Sequence, residues 1–171
     1  RETADIALRA ALTGHLVFTT LHTNDAASAV VRLADMGIES YLMAAALRGV
    51  LAQRLVRRLC PACRRIVDAD AGSVARLGPA GHSLLHLTQA LPVGCSACRE
   101  GYRGRVGLFE LMTADAELQE LLRGGQTMVR EIRRRAIDHG MMTLMDDAIE
   151  KIRSHTTSID EVFFALNQID A

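Results

Sequence analysis

The apolar and polar positions fall into alternating helix-like and strand-like stretches. From Thr3 to Leu12, Ile6, Ala7, Ala10 and Ala11 recur at helical spacing and Gly14 follows as a stop, which predicts a helix. The run Leu16 to Leu21 is continuously apolar or β-forming and is bounded by Gly14 and Asn24, the pattern of a buried parallel strand. Asn24 and Asp25 can cap a second helix, Ala26 to Met36, which ends at Gly37. A longer helix is expected from Tyr41 to Leu59. This order is that of the tail of an α/β domain whose other strands lie outside the sequence.

The second half reads differently. Residues 64 to 94 hold Gly72, Gly78, Pro79, Gly81 and Pro92 without sustained periodicity, so an irregular insert is expected. Glycines at 101, 104 and 107 read as turns leading into a strand from Val106 to Met112. A phosphate-cradling role for them lacks the strand–loop–helix setting it would need. Helices are expected at about 115–122, 127–138, 143–153 and 159–168. The last carries a stripe of Ile159, Val162, Phe163, Leu166 and Ile169 and a capping box of Ser158 with Glu161. There is no internal repeat.

Composition removes several classes of function. The 171 residues are 49% apolar, enough for a sizeable core, and the net charge is zero. Neither a disordered acidic tail nor a strongly basic nucleic-acid binder fits. The richest apolar stretch, Tyr41 to Leu55, is interrupted by Arg48 and Arg54 and does not reach membrane-spanning length. The chain opens Arg1-Glu2-Thr3 with no signal-like segment, so a piece of a longer protein without its own export signal is expected. Lys151 is its only lysine and follows Glu150, so the Gly-Lys-Ser/Thr of a P-loop is absent from this sequence.

Cysteine supplies the strongest chemical signal. Cys60, Cys63, Cys95 and Cys98 form two C-x-x-C pairs with 31 residues between them. Two such knuckles can aim four thiolates at one point, the tetrahedral set that structural zinc prefers. Single pairs serve redox chemistry, and paired cysteines can be disulfides in secreted proteins. His82 and His86 offer alternative nitrogens, but four thiolates already close a site, so these histidines are expected on loops or surface.

Arginines cluster at Arg54, Arg57, Arg58, Arg64 and Arg65 and again at Arg130, Arg133, Arg134 and Arg135. With only six aromatic residues for base stacking, a solvated or subunit-contacting face is the better reading than nucleic acid. Met128, Val129, Ile132 and Ala136 are expected on the buried side of the second cluster's helix.

Taken in order, Arg1-Glu-Thr-Ala, Leu12-Thr-Gly-His-Leu-Val-Phe-Thr-Thr-Leu-His-Thr-Asn24, Ala52-Gln-Arg-Leu-Val56, the paired C-x-x-C and Gly101-Tyr-Arg-Gly-Arg-Val-Gly107 resemble the C-terminal part of the secretion ATPases shared by type II secretion and type IV pilus assembly. Asp35 to Glu39 and Leu47 to Cys60 resemble the type II secretion branch more than the pilus extension motor, and the cysteines set the chain apart from the zinc-less retraction motors.

That resemblance implies a homo-hexameric, RecA-like P-loop ATPase at the cytoplasmic face of the inner membrane, using ATP and Mg2+ to drive pseudopilus assembly and protein export. Its P-loop and Walker B segment would lie upstream. Residues 1–59 would close the ATPase domain, 60–112 would form a tetracysteine zinc subdomain and 113–171 a helical subdomain. Thr13 to Asn24 is similar to the family's His box, which implies that the strand delivers Thr20, His22 and Asn24 to the carboxyl edge of the sheet. There His22, Thr20 and His15 are candidates for sensing the γ-phosphate or orienting water, and Asn24, Gln53 and Arg54 for nucleotide binding. The zinc subdomain would face a partner, the inner-membrane secretion platform, or clamp the helical tail onto the core. Membrane association would run through partners, and no nucleic acid is expected.

Overall fold

The computed structural model describes residues 2–84, 88–125 and 128–167. Its secondary structure is mixed, and the chain divides into two compact units. The first comprises residues 1–52 and 110–142, the second 53–109 and 143–171.

Helix α1, Glu2–Leu12, carries Glu2 and Asp5 in its first turn and Arg9 in its last, each charge favoured by the helix dipole. It ends at Gly14, whose φ of 96° suits a residue without Cβ. Helix α2, Ala26–Asp35, is capped by Asp25, which accepts the Ser28 N–H at 2.7 Å. The buried Glu110 accepts the Ala26 N–H at 2.9 Å, so carboxylates take up two of the helix's free donors. Gly37 closes α2 with φ 80°, the Gly37 and Ile38 amides returning to Ala34 and Leu33.

Three expectations fail here, the third at Met128. Residues 15–23 form no strand: Leu16 is 79% and Phe18 87% exposed. A parallel strand needs neighbours for its backbone groups, and among the described residues none lies alongside this segment. The helix expected from 41 to 59 divides into α3, Ser40–Ala46, and strand β1, Gly49–Leu59. Leu47 turns extended, with ψ 128°. Beyond it burial alternates: Ala52 and Val56 are buried while Leu51 and Leu55 are exposed, a period of two in a stretch whose leucines keep helical spacing.

Strand β1 pairs with β4, Tyr102–Thr113. The first unit is completed by α5, Ala116–Arg123, and α6, Val129–Asp138, whose Leu118, Leu122, Ile132 and Ala136 join Val30, Leu33, Leu42 and Met43 in one core. Met128 is 71% exposed, not buried as its spacing suggests, because it precedes α6 as the N-cap. The α6 arginines do lie outward: Arg134 pairs with Glu131 and Arg135 with Glu117.

Asp115 caps α5, and the Leu118 N–H followed by His139 holds its carboxyl below the ordinary 3.8. A depressed pKa adds stability above the unfolded value, and that contribution is lost as pH falls through the folded one. Asp115→Ala is expected to cost about 1 kcal/mol near pH 7. In urea melts at successive pH values the gap should close on acidification below about pH 4; equal midpoints at pH 7 would contradict this role.

In the second unit, the expected irregular insert contains β2, Arg65–Asp68, helix α4, Ala71–Ala75, a 3-10 turn over Gly78–Leu84, and β3, Thr88–Leu91. β2 and β3 pair antiparallel with Arg65 opposite Leu91 and Asp68 opposite Thr88. These elements are too short to show a period. Helices α7, Leu144–Arg153, and α8, Ile159–Asn167, supply Leu144, Ile149, Ile152, Ile159 and Val162 to a core with Val56, Leu84 and Leu108. A full capping box sits at Thr143 and Asp146 on α7. At Ser158 only half of one forms: its hydroxyl accepts the Glu161 N–H, while the Glu161 carboxylate turns to Arg57. Ile169 and the end of the expected last helix lie outside the described residues. No described helix is long and apolar enough to cross a membrane.

Candidate functional site

The two cysteine knuckles converge in the second unit. Each is a tight turn, with the Cys63 amide on the Cys60 carbonyl at 3.3 Å and the Cys98 amide on that of Cys95 at 3.2 Å. The Cys60 N–H donates to Gly101 at 2.8 Å, which joins the first knuckle to the loop after the second. Gly101 has φ 83°, and a Cβ there would stand 2.4 Å from the Pro92 Cβ, so this loop closes only with glycine.

All four sulfurs lie within 4.8 Å of one another: Cys63 to Cys98 is 3.6 Å, Cys95 to Cys98 3.7 Å and Cys60 to Cys95 4.0 Å. None is within bonding distance of another, so all four cysteines are free. A tetrahedral ion with metal–sulfur bonds of about 2.3 Å needs sulfurs about 3.8 Å apart, and the donor set is all thiol, so the residues fit zinc. Burial pushes the Cys63 thiol up, neighbouring sulfurs add to this, and it stands at about 12. Burial also opposes ionisation of Cys98, but the Cys95 N–H and the adjacent thiols outweigh it and bring Cys98 down to about 7. Filling the site with a cation would therefore displace the Cys63 proton. His82 is exposed and outside this cluster; His86 lies outside the described residues.

Residues that the sequence suggested for other roles hold the base of the centre. Glu161, 8% exposed, accepts the Arg57 N–H at 2.9 Å and pairs with its guanidinium at 2.8 Å. That guanidinium lies 4.1 Å over the Tyr102 ring, whose hydroxyl meets Ser158 at 2.8 Å. The Leu59 N–H donates to Thr156 and the Thr157 hydroxyl to Arg57, so the turn between α7 and α8 secures the strand end that enters the first knuckle. The available signal was the pairing of a lone aromatic with glycine turns at 101 and 104.

In the first unit, His22 and Asn24 come together at an open cavity of about 310 Å³, with Thr23 between them and Ser28, Arg32 and Asp35 along one stripe of α2. Ser28, Arg32 and Asp35 recur at helical spacing, the signal in the sequence that they share one face of α2. Thr20 is exposed on the loop before this cavity and is not part of its lining. His15 sits at the end of α1, its Nδ1 3.2 Å from both the Thr13 hydroxyl and the Ala10 carbonyl. Gln53 is exposed and Arg54 half-buried on β1, both in the second unit.

The sequence model of the family described as "Type II/IV secretion system protein" matches residues 1–164. The chain is 45% identical over 165 residues to the Type II secretion system protein E of Pseudomonas aeruginosa, covering 95% of this chain and 32% of that protein. It is 46% identical to the Type II secretion system ATPase E of Vibrio cholerae, over 94% of this chain and 31% of the other. The Type IV pilus assembly ATPase PilB of Thermus thermophilus is 44% identical, over 94% of this chain and 18% of its own length. The chain thus spans about a third or less of these relatives. With a match running over nearly every residue, including both cysteine knuckles and the His22 segment, the chain belongs to the type II/IV secretion system protein family.

Proposed function

We propose that this chain is the portion of a hexameric secretion ATPase that follows its P-loop and Walker B segment, and that it acts in type II secretion at the cytoplasmic face of the inner membrane. The observation that carries the reading is the match over residues 1–164 to a family with relatives named as secretion and pilus ATPases. ATP and Mg2+ would be bound largely by residues outside this sequence, in a RecA-like domain that residues 1–59 complete. Residues 60–112 would form the zinc subdomain and 113–171 the helical one.

In this reading His22, with Thr20 and His15 on the same segment, senses the γ-phosphate or orients water. Asn24, Gln53 and Arg54 contribute to nucleotide binding. The cavity shared by His22 and Asn24 supports a role for those two residues together; Thr20 and His15 do not line it. Cys60, Cys63, Cys95 and Cys98 hold zinc as a closed, structural cross-link without an open coordination position. The zinc subdomain and the outward arginines face neighbouring subunits or the inner-membrane platform, which would bring the protein to the membrane without a span of its own.

The isolated 171-residue chain is expected neither to bind nor to hydrolyse ATP, since Gly-Lys-Ser/Thr is absent from it. The full-length protein should do both in a standard phosphate-release assay. Hydrolysis by the chain alone, or none by the full-length protein, would overturn the reading. Type IV pilus assembly is the second reading, favoured by the 44% identity to a pilus ATPase. A non-catalytic zinc-ribbon module that binds protein or nucleic acid is the third, and the nucleic-acid form is open to a simple test. It predicts binding that weakens steeply with salt, whereas the zero net charge predicts no binding even at low salt.

A further inference from the structure

The four sulfurs are unequally protected. Cys60 is 1% exposed, Cys63 and Cys98 are half-buried, and Cys95 is exposed. A reagent arriving from solvent therefore meets Cys95 first. Cys98 stands 3.7 Å from it on the same turn; Cys60, on the other knuckle, is 4.0 Å away and buried, and Cys63, also on the other knuckle, is half-buried and 3.6 Å from Cys98.

We propose that the Cys95–Cys98 knuckle is a redox latch on the metal centre: a hydroperoxide closes it to a disulfide and ejects the bound metal, while Cys60 and Cys63 stay thiols. The inference rests on the zinc reading above. In the first step the Cys95 sulfur attacks one peroxide oxygen, an S–O bond forms, the O–O bond breaks, and hydroxide leaves. In the second, the Cys98 sulfur attacks the Cys95 sulfur, the S–S bond forms, and the S–O bond breaks with loss of a second hydroxide. Two thiolates, one hydrogen peroxide and two protons thus give one disulfide and two waters, with two electrons passing from sulfur to peroxide. The disulfide leaves two thiolates where a structural zinc site needs four donors, so the ion departs.

The test uses the full-length protein, its zinc measured before any oxidant is added. Hydrogen peroxide is then titrated in while released zinc is followed with a chromogenic chelator, and the quenched protein is digested with trypsin. Cleavage after Arg58 and Arg64 places Cys60 and Cys63 together in peptide 59–64, and cleavage after Arg76 and Arg99 places Cys95 and Cys98 in peptide 77–99. The expected result is about one zinc released per chain, in step with a loss of two hydrogens from peptide 77–99, reversed by a dithiol reductant plus zinc. Oxidation within peptide 59–64, a cross-link between the two peptides, or zinc and thiols both intact under excess peroxide would overturn the proposal. A protein without zinc at the outset would overturn the zinc reading instead, and that failure shows before peroxide is present.

Discussion

Replacing Cys60 with serine, or stripping the metal with a chelator, is expected to loosen residues 60–109 while α2, α3 and α5 stay folded. The reason is how little apolar material this region has of its own. Around the knuckles the described core is a small cluster of Leu59, Ala90 and Tyr102, and β2 and β3 are four residues each. Structural zinc supplies on the order of 10–16 kcal/mol of apparent binding free energy, coupled to folding. Even a quarter of that, about 3 kcal/mol, would lower Tm by roughly 10 °C. The first unit has a separate core around Val30, Met43, Leu118 and Ile132, so its amides should keep their protection. Hydrogen exchange resolved by peptide distinguishes the two regions. Equal melting of C60S and wild type, or loss of protection spread evenly over both units, would contradict a structural metal.

In the full-length protein, His22→Ala is expected to lower kcat by roughly 10²-fold or more, the usual worth of a positioned acid, base or water-orienting group. The imidazole is exposed at the cavity it shares with Asn24, so its loss removes no core packing and the melting curve should hardly move. His15→Ala serves as the comparison. That ring is engaged with Thr13 and the Ala10 carbonyl at the end of α1, and a smaller effect on turnover is expected there. Normal turnover in a folded H22A protein would remove the role assigned to His22.

What could be read from the sequence followed physical rules that operate locally. The cap at Asp25, the stops at Gly14 and Gly37, and the apolar sides of α6 and α8 depend on residues within a turn of one another, so those helices were legible. The tetracysteine pattern was equally clear, because metal-ligand spacing is a local constraint repeated twice. The segment Leu16–Leu21 reads as a strand, yet strand formation is settled by neighbours and none of the described ones stands beside it. The stretch 41–59 failed because Leu51, Leu55 and Leu59 keep a helical spacing within a run that the pairing with β4 turns into an alternating strand. The Arg57, Glu161, Tyr102 and Ser158 support was invisible for a different reason. It joins residues up to 104 positions apart, a distance no local pattern encodes.

A secretion ATPase with a structural zinc is tested most directly by zinc content measured on the purified full-length protein together with its ATPase rate before and after the metal is removed. The expected result is about one zinc per chain, with ATP hydrolysis present and falling only as the second unit loosens. One zinc per chain and no hydrolysis under any condition would contradict it and turn the chain into a binding module.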